Sequence, residues 1–223
     1  MNLSLLCVTK AESYTPYFLG HLEGAARALG AECVLVADGH EALGRLEAIS
    51  ASVRESPTRI VQSRGFLESV LDEAVTMCGR DWVLRIDDDE VMSPAMLRWL
   101  AKDFQNGYPV WKFPRANLFG VPNQYITNAP LWPDHQTRLT TKLLAGGRTT
   151  IHAGCPHGGG ALAPGLIEHH KFLVKPLDAR RAIAARYEQL QPGAGTPMLA
   201  FSAPEDVIAP LDLKLAELGE GWR

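Results

Sequence analysis

The stretch Val83-Leu84-Arg85-Ile86-Asp87-Asp88-Asp89-Glu90 constrains this chain more than any other, because a short apolar run ends in four consecutive acids. Trp82 to Ile86 suits a buried strand. Four carboxylates at a strand end repel one another and cannot all be buried without counter-charge. One reading is a solvated acidic turn ahead of the helix that Ser93-Pro94 opens. The other is a site for Mg²⁺ or Mn²⁺, which carboxylate oxygens suit. It would lie at the C-terminal edge of a sheet, where open α/β sheets bind ligands. An EF-hand is excluded: Met92 stands where that loop needs glycine, and no glutamate closes it.

The segments before this stretch alternate. Leu3 to Val8, Cys33 to Ala37 and Arg59 to Gln62 read as strands. Helices are expected from Pro16 to Leu29, capped by Ser13 or Thr15, from His40 to Ile49, and from Arg64 to Met77. A parallel, helix-covered sheet follows from this β-α alternation. Thr9-Lys10-Ala11-Glu12, Asp38, Ser63-Arg64 and the acids from Asp87 to Glu90 then fall on one sheet edge, which favours the functional reading of the acids. Beyond a helix near Pro94 to Asn106, Tyr108 to Phe119 and Gln136 to Lys142 are strand-like. Thr127 to Asp134 is a loop, and Gly154 to Gly165 is a mobile stretch that can close over a ligand. Asp178 to Gln191 is a helix capped by Asp178, and Leu211 to Leu218 a short amphipathic helix. The expected division is a domain over residues 1–175, with halves 1–107 and 108–175, followed by a helical extension over 176–223.

A chain of 223 residues with 21% charged residues and net charge −3 has no basic footprint for nucleic acid. No apolar run reaches bilayer length, and the N-terminal run has no basic flank and is too short for a signal peptide. The four cysteines have no C-x-x-C spacing. A reducing, cytoplasmic setting is expected. There is no G-x-G-x-x-G after the first strand and no P-loop, so dinucleotide cofactors and P-loop chemistry are set aside.

Three further groups can carry chemistry. Asp38, closing the second strand, can accept a hydrogen bond from a nucleotide or serve only an Asp-Gly turn. Asp134, in Trp132-Pro133-Asp134-His135-Gln136-Thr137-Arg138-Leu139, can act as a general base, or serve only an Asx-type turn or an ion pair with Arg138. His152, Cys155, His157, His169 and His170 offer metal ligands, but His-x-x-Cys-x-His matches no common structural zinc pattern.

Taken in order, Thr9 to Glu12, Asp38, Arg64-Gly65, Trp82 to Glu90, Trp132 to Leu139 and Ile151-His152 resemble the family 2 glycosyltransferases of GT-A fold, in their short bacterial form. The resemblance covers residues 3 to 175, and Ala11 stands where the family carries Asn. It implies a mostly parallel α/β sheet flanked by helices, a smaller antiparallel acceptor side and C-terminal helices. It also implies transfer of a sugar from a nucleoside diphosphate donor, UDP first and GDP second, to a glycan or other hydroxyl acceptor, with inversion. Thr9, Lys10, Glu12, Asp38, Arg64, Asp87, Asp88 and Arg138 would then line the donor site. Asp89 and His152 would hold Mn²⁺ or Mg²⁺, with His157 or His169 as substitutes for the histidine, and Asp134 would be the base. Two other readings remain: a non-catalytic nucleotide-sugar-binding protein of this fold, and a haloacid-dehalogenase-like phosphatase. The phosphatase would use Asp87 as nucleophile and Asp89 as acid, with Glu205-Asp206 as its later acid pair.

Overall fold

The computed structural model describes residues 1–49, 59–102, 104, 107–147, 159–209 and 212–220. The first part alternates as the apolar runs require: β1 (Leu3–Thr9), α1 (Thr15–Leu29), β2 (Glu32–Asp38), α2 (His40–Ile49), β3 (Ile60–Val61), α3 (Leu71–Thr76) and β4 (Trp82–Arg85). A short β5 (Glu90–Met92) and α4 (Pro94–Leu100) follow the acids. The second part contains β6 (Val110–Asn117), β7 (Gln124–Ile126), β8 (Asp134–Thr141), α5 (Lys142–Ala145), β9 (Ala161–Leu162), β10 (Ile167–His169) and α6 (Lys171–Val174). Helices α7 (Leu177–Leu190), α8 (Gly195–Ser202) and α9 (Pro204–Val207) and strand β11 (Leu215–Glu217) complete it.

The main sheet runs β3-β2-β1-β4-β8-β6-β10-β5, with β9 beside β6. Strands β3, β2, β1 and β4 are parallel. Strand β8 is antiparallel to both β4 and β6, whereas β10 is parallel to β6. Every residue of β1 is buried, because helices cover both faces. Leu3, Leu5 and Cys7 pack with α1 and α4, and Leu6 and Val8 with α3. Because β8 is reversed, its first residue, Asp134, lies at the edge where β4 ends, and the ends of β6 and β10 converge there too. Gly165 (φ 93°) lets the chain entering β10 approach α4 closely, since a Cβ there would lie 2.4 Å from Met96 N. Ser93 Oγ caps α4 through Met96 N and accepts from Leu166 N at 3.1 Å, which sets the approach of β10.

Four local expectations need correction. The helix expected from Arg64 is a 3₁₀ turn over Leu67–Val70 followed by the short α3. Ser69 Oγ accepts from Arg64 N and donates to Phe66 O there, local bonds that compete with an α-helical start. Helix α1 has no side-chain cap: Tyr14 is its N-cap, and the Thr15 hydroxyl turns to Asp88 instead. Pro176, not Asp178, precedes α7, and Asp178 pairs with Arg181 at 3.0 Å. Residues Leu215–Glu217 form a strand on β7, not a helix; Leu211, Leu213 and Leu215 alternate at period two, the strand signal. Ala11 takes a left-handed φ of 53°, the region where asparagine is enriched and alanine is strained.

Candidate functional site

The four acids after β4 have separate surroundings. Asp87 accepts from Arg138 Nη2 at 2.6 Å and lies 3.5 Å from Arg85 Nε. Glu90, with a fully buried side chain, accepts from the same Arg138 nitrogen, from Arg115 at 3.4 Å and from Asp87 N at 3.0 Å. Arg138 is itself fully buried between these acids. Burial would raise the Asp87 carboxyl, but Arg138 and Arg85 hold it well below the ordinary carboxylate range.

Asp88 accepts from the Thr9 hydroxyl and, at 3.4 Å, from that of Thr15. Burial and the neighbouring Asp89 push its carboxyl up to about 7. Thr9 Oγ1 also accepts from Ala11 N at 2.8 Å, so the loop after β1 is shaped around Asp88.

Asp89 is 4% exposed and lies between two groups from the second part of the chain. Lys175 Nζ donates to its Oδ2 at 2.8 Å, and His169 Nε2 lies 3.4 Å from its Oδ1. Burial would raise Asp89, but Lys175 lowers it well below the ordinary range. The Asn117 amide is oriented by donation from Nδ2 to Leu131 O at 3.0 Å, so its Oδ1 accepts from Nδ1–H of His169 at 2.7 Å. Burial first, then Arg115, lowers the pKa of His169, so the neutral ring turns its Nε2 lone pair toward Asp89. Two acceptors facing each other at 3.4 Å leave space for a cation. Two adjacent ligands with bonds of about 2.1 Å lie at roughly this separation on one small metal ion. The donor set therefore fits Mg²⁺ or Mn²⁺, with the remaining positions left for water or phosphate oxygen. No cluster of three or more His, Cys, Asp or Glu ligands exists among the described residues.

Asp134 is buried, and Arg115 binds its Oδ2 through Nε at 2.8 Å and Nη2 at 2.7 Å. Its Oδ1 accepts only from the neutral amide of Gln136, at 2.5 Å, among the described side chains. Arg115 links it to Glu90, and through Glu90 to Arg138 and Asp87. Its partner is thus Arg115, not Arg138.

A second group lies along the same edge, at the ends of β1 to β3. Asp38 accepts from Ser63 N at 2.8 Å and Ser63 Oγ at 2.7 Å, and Lys10 Nζ is 4.0 Å away. Arg64 and Glu12 are exposed beside this edge. Asp87, Arg138, Glu90, Arg115 and Asp134 therefore form one network, with Thr9–Asp88 and Asp89–Lys175–His169 as adjoining groups at the same edge, whereas Lys10, Asp38, Arg64 and Glu12 border them. His152, Cys155, His157 and the first five residues of Gly154 to Gly165 lie outside the described residues.

Sequence reasoning missed Arg115, Asn117 and Lys175. The only available signal for the first two lay in strand pairing, which sets Arg115 opposite Asp134 and Asn117 opposite His169. Lys175 had no local signal.

No protein-family profile matches the chain, and no curated protein does. Solved structures do. The S. aureus TarS 1–349 structure in complex with UDP-GlcNAc is similar at a TM-score of 0.50 and 14% identity, over 95% of this chain and 77% of that one. The same TarS fragment in complex with UDP gives 0.49 and 12%, over 95% and 74%. A longer TarS chain gives 0.49 and 14%, with 92% of this chain and 45% of that one covered. At 14% identity the first of these shows the fold alone. That fold is the expected one: GT-A, α/β, with a mostly parallel sheet flanked by helices and a small antiparallel sheet.

Proposed function

We propose that this chain is a glycosyltransferase that moves a sugar from a nucleoside diphosphate donor, UDP favoured, to an acceptor hydroxyl. The observation that carries the reading is the convergence of Asp89 Oδ1 and His169 Nε2 on one point at the sheet edge, with Lys175 beside it. The UDP-GlcNAc and UDP complexes of TarS, a protein of the same fold, support the choice of donor.

In this reading Asp89 and His169 hold Mg²⁺ or Mn²⁺, with His152 a further candidate from outside the described residues. When bound, the ion supplies Lewis-acid stabilisation of the leaving diphosphate. The chain's own residues do the rest. Lys10, Asp38 and Arg64 border the nucleoside, with Glu12 and Thr9 in the neighbouring loop. Arg138 and Arg115 keep the acids charged and fixed, and a preorganised field of this kind stabilises developing charge without reorganising. Asp134 takes the acceptor proton on Oδ1, the oxygen that Arg115 leaves free, and attack from that side inverts the anomeric centre.

One observation favours the non-catalytic reading. Arg115 holds Asp134 Oδ2 with two nitrogens, which engages half of that carboxylate in an ion pair. The phosphatase reading is weaker, because both Asp87 oxygens face Arg138 and the later acids Glu205 and Asp206 are paired with Arg180 and Arg181. Calorimetry with UDP and UDP-sugars in the presence of Mn²⁺ tests the reading. Wild type should bind and Asp89→Asn should not, with an unchanged melting curve. Equal binding by the two sinks the donor site. Donor binding without transfer to any acceptor establishes the binding protein, and phosphate release from a generic ester establishes the phosphatase.

A further inference from the structure

Lys175 is the most exposed of the cations paired with the acids after β4. Arg138 is fully buried between Asp87 and Glu90, and the Arg115 side chain is 14% exposed and shared by Glu90 and Asp134. The Lys175 side chain is 22% exposed although its ammonium touches Asp89, whose side chain is 6% exposed. Its ammonium therefore sits at the rim of the site and its partner inside.

The backbone of Lys175 is held while its side chain is long. Lys175 N donates to Lys171 O, and Lys175 O accepts from Arg180 Nε at 3.0 Å. Arg180 is fixed in turn by Glu205 and by Ser202 O. The ammonium lies 5.2 Å from the centre of the Tyr14 ring, so an aromatic face guides it toward the loop after β1. A four-carbon stem on a fixed base lets such a charge swing by several ångström.

Asp89 cannot serve Lys175 and a divalent cation equally. The cation position lies against Oδ1 and His169, and Lys175 occupies Oδ2 of the same carboxylate. Two positive centres that close repel strongly in a site shielded from water. A diphosphate removes the conflict by bringing negative charge that both can share.

We infer that Lys175 is a diphosphate-binding residue with two positions: on Asp89 in the free chain, and on the donor's distal phosphate once a cation occupies Asp89 and His169. Cation and donor then bind cooperatively, and neither binds well alone. This rests on the donor-site reading above and adds the residue that couples the two ligands.

The test uses the full chain, with Mn²⁺, UDP and UMP as probes, followed by calorimetry. In wild type, UDP should tighten Mn²⁺ binding and Mn²⁺ should tighten UDP binding by the same factor, as linkage requires. Lys175→Gln should bind Mn²⁺ alone about ten-fold more tightly or better. It should bind UDP about ten- to a hundred-fold more weakly, the loss of a hydrogen bond to a charged group. Its affinity for UMP, which lacks the distal phosphate, should be unchanged. Lys175→Arg keeps the charge and should restore most of the UDP affinity. Equal loss of UMP and UDP, or unchanged Mn²⁺ affinity in Lys175→Gln, overturns the inference while leaving the donor site standing. Independent binding of Mn²⁺ and UDP to wild type overturns it without any variant. Wild type that binds no UDP with Mn²⁺ present overturns the donor-site reading itself.

Discussion

The two parts of the main sheet carry opposite charge to the same edge. The parallel part, β3-β2-β1-β4, delivers Asp87, Asp88 and Asp89 after β4, and Glu90 follows them as the first residue of β5. The part that contains reversed strands, β8-β6-β10-β5, and the turn after it deliver Arg138, Arg115, His169 and Lys175. From the first part itself, Asp88 is held by hydroxyls of Thr9 and Thr15, and Asp87 also lies beside Arg85 of β4. An acidic run that looks self-repelling along the chain is thus compensated by cations from 25 to 86 residues away. The acids also hold the two parts together.

Removing a cation from the second part breaks this balance most severely. Arg138→Met removes the main counter-charge of the buried Glu90 and the half-buried Asp87, leaving only Arg115 and Arg85 beside them, and should destabilise the chain by about 3 kcal/mol, read from urea unfolding. A loss below about 1 kcal/mol would mean that the acids find water or other partners.

Asp134 tests whether the second part contributes chemistry as well as charge. Asp134→Asn should lower kcat by about 10²–10⁴-fold and leave UDP affinity nearly unchanged. Loss of UDP affinity with normal turnover would move Asp134 to the donor side. Lower stability with normal kinetics would reduce it to a partner of Arg115.

Behind Lys175, the bidentate Arg180–Glu205 pair ties α7 to α9. Burial would raise the Glu205 carboxyl, but the Arg180 hydrogen bonds hold it below its ordinary value. A depressed carboxyl stabilises the fold above its unfolded pKa, and this is lost as pH falls through the folded value. Glu205→Gln should therefore cost about 1–3 kcal/mol at pH 7, and the cost should shrink as the pH falls below the ordinary carboxylate range, in thermal melts across that range. A cost that did not change with pH would remove charge from the account.

The smallest effect belongs to the first part. Ala11 carries its left-handed φ of 53° next to the Thr9–Asp88 contact. Ala11→Gly relieves a strain of about 1–2 kcal/mol and adds unfolded-state entropy that offsets about half of it. A net gain of up to about 1 kcal/mol is expected by chemical denaturation. A loss would show that the Ala11 methyl, buried at 4% exposure, packs usefully.

Much of this was legible along the chain. The strands β1, β2 and β4 are apolar runs with acids or polar turns behind them, and α1 and α4 have helical spacing with a stop or start signal. Asp87, Asp88, Asp89, Arg138 and Asp134 were all marked, and all five lie at one sheet edge, with Asp87, Arg138 and Asp134 in one ion-pair network. The errors share a cause. Ser69 diverts the start of the helix expected from Arg64 through its own side-chain bonds, and Leu215–Glu217 becomes a strand by pairing with β7; local periodicity does not report on either partner.

The sequence by itself determined that this chain builds a parallel α/β sheet and that acids crowd one of its edges, because apolar periodicity and charge are properties of neighbours along the chain. Only the tertiary structure decided which cation meets which acid. The reversal of β8 brings Asp134 to the edge and Arg138 between Asp87 and Glu90, β10 turns His169 toward Asp89, and the turn before α7 brings in Lys175. Those pairings are set by strand order and register, and no short-range pattern in the chain encodes them.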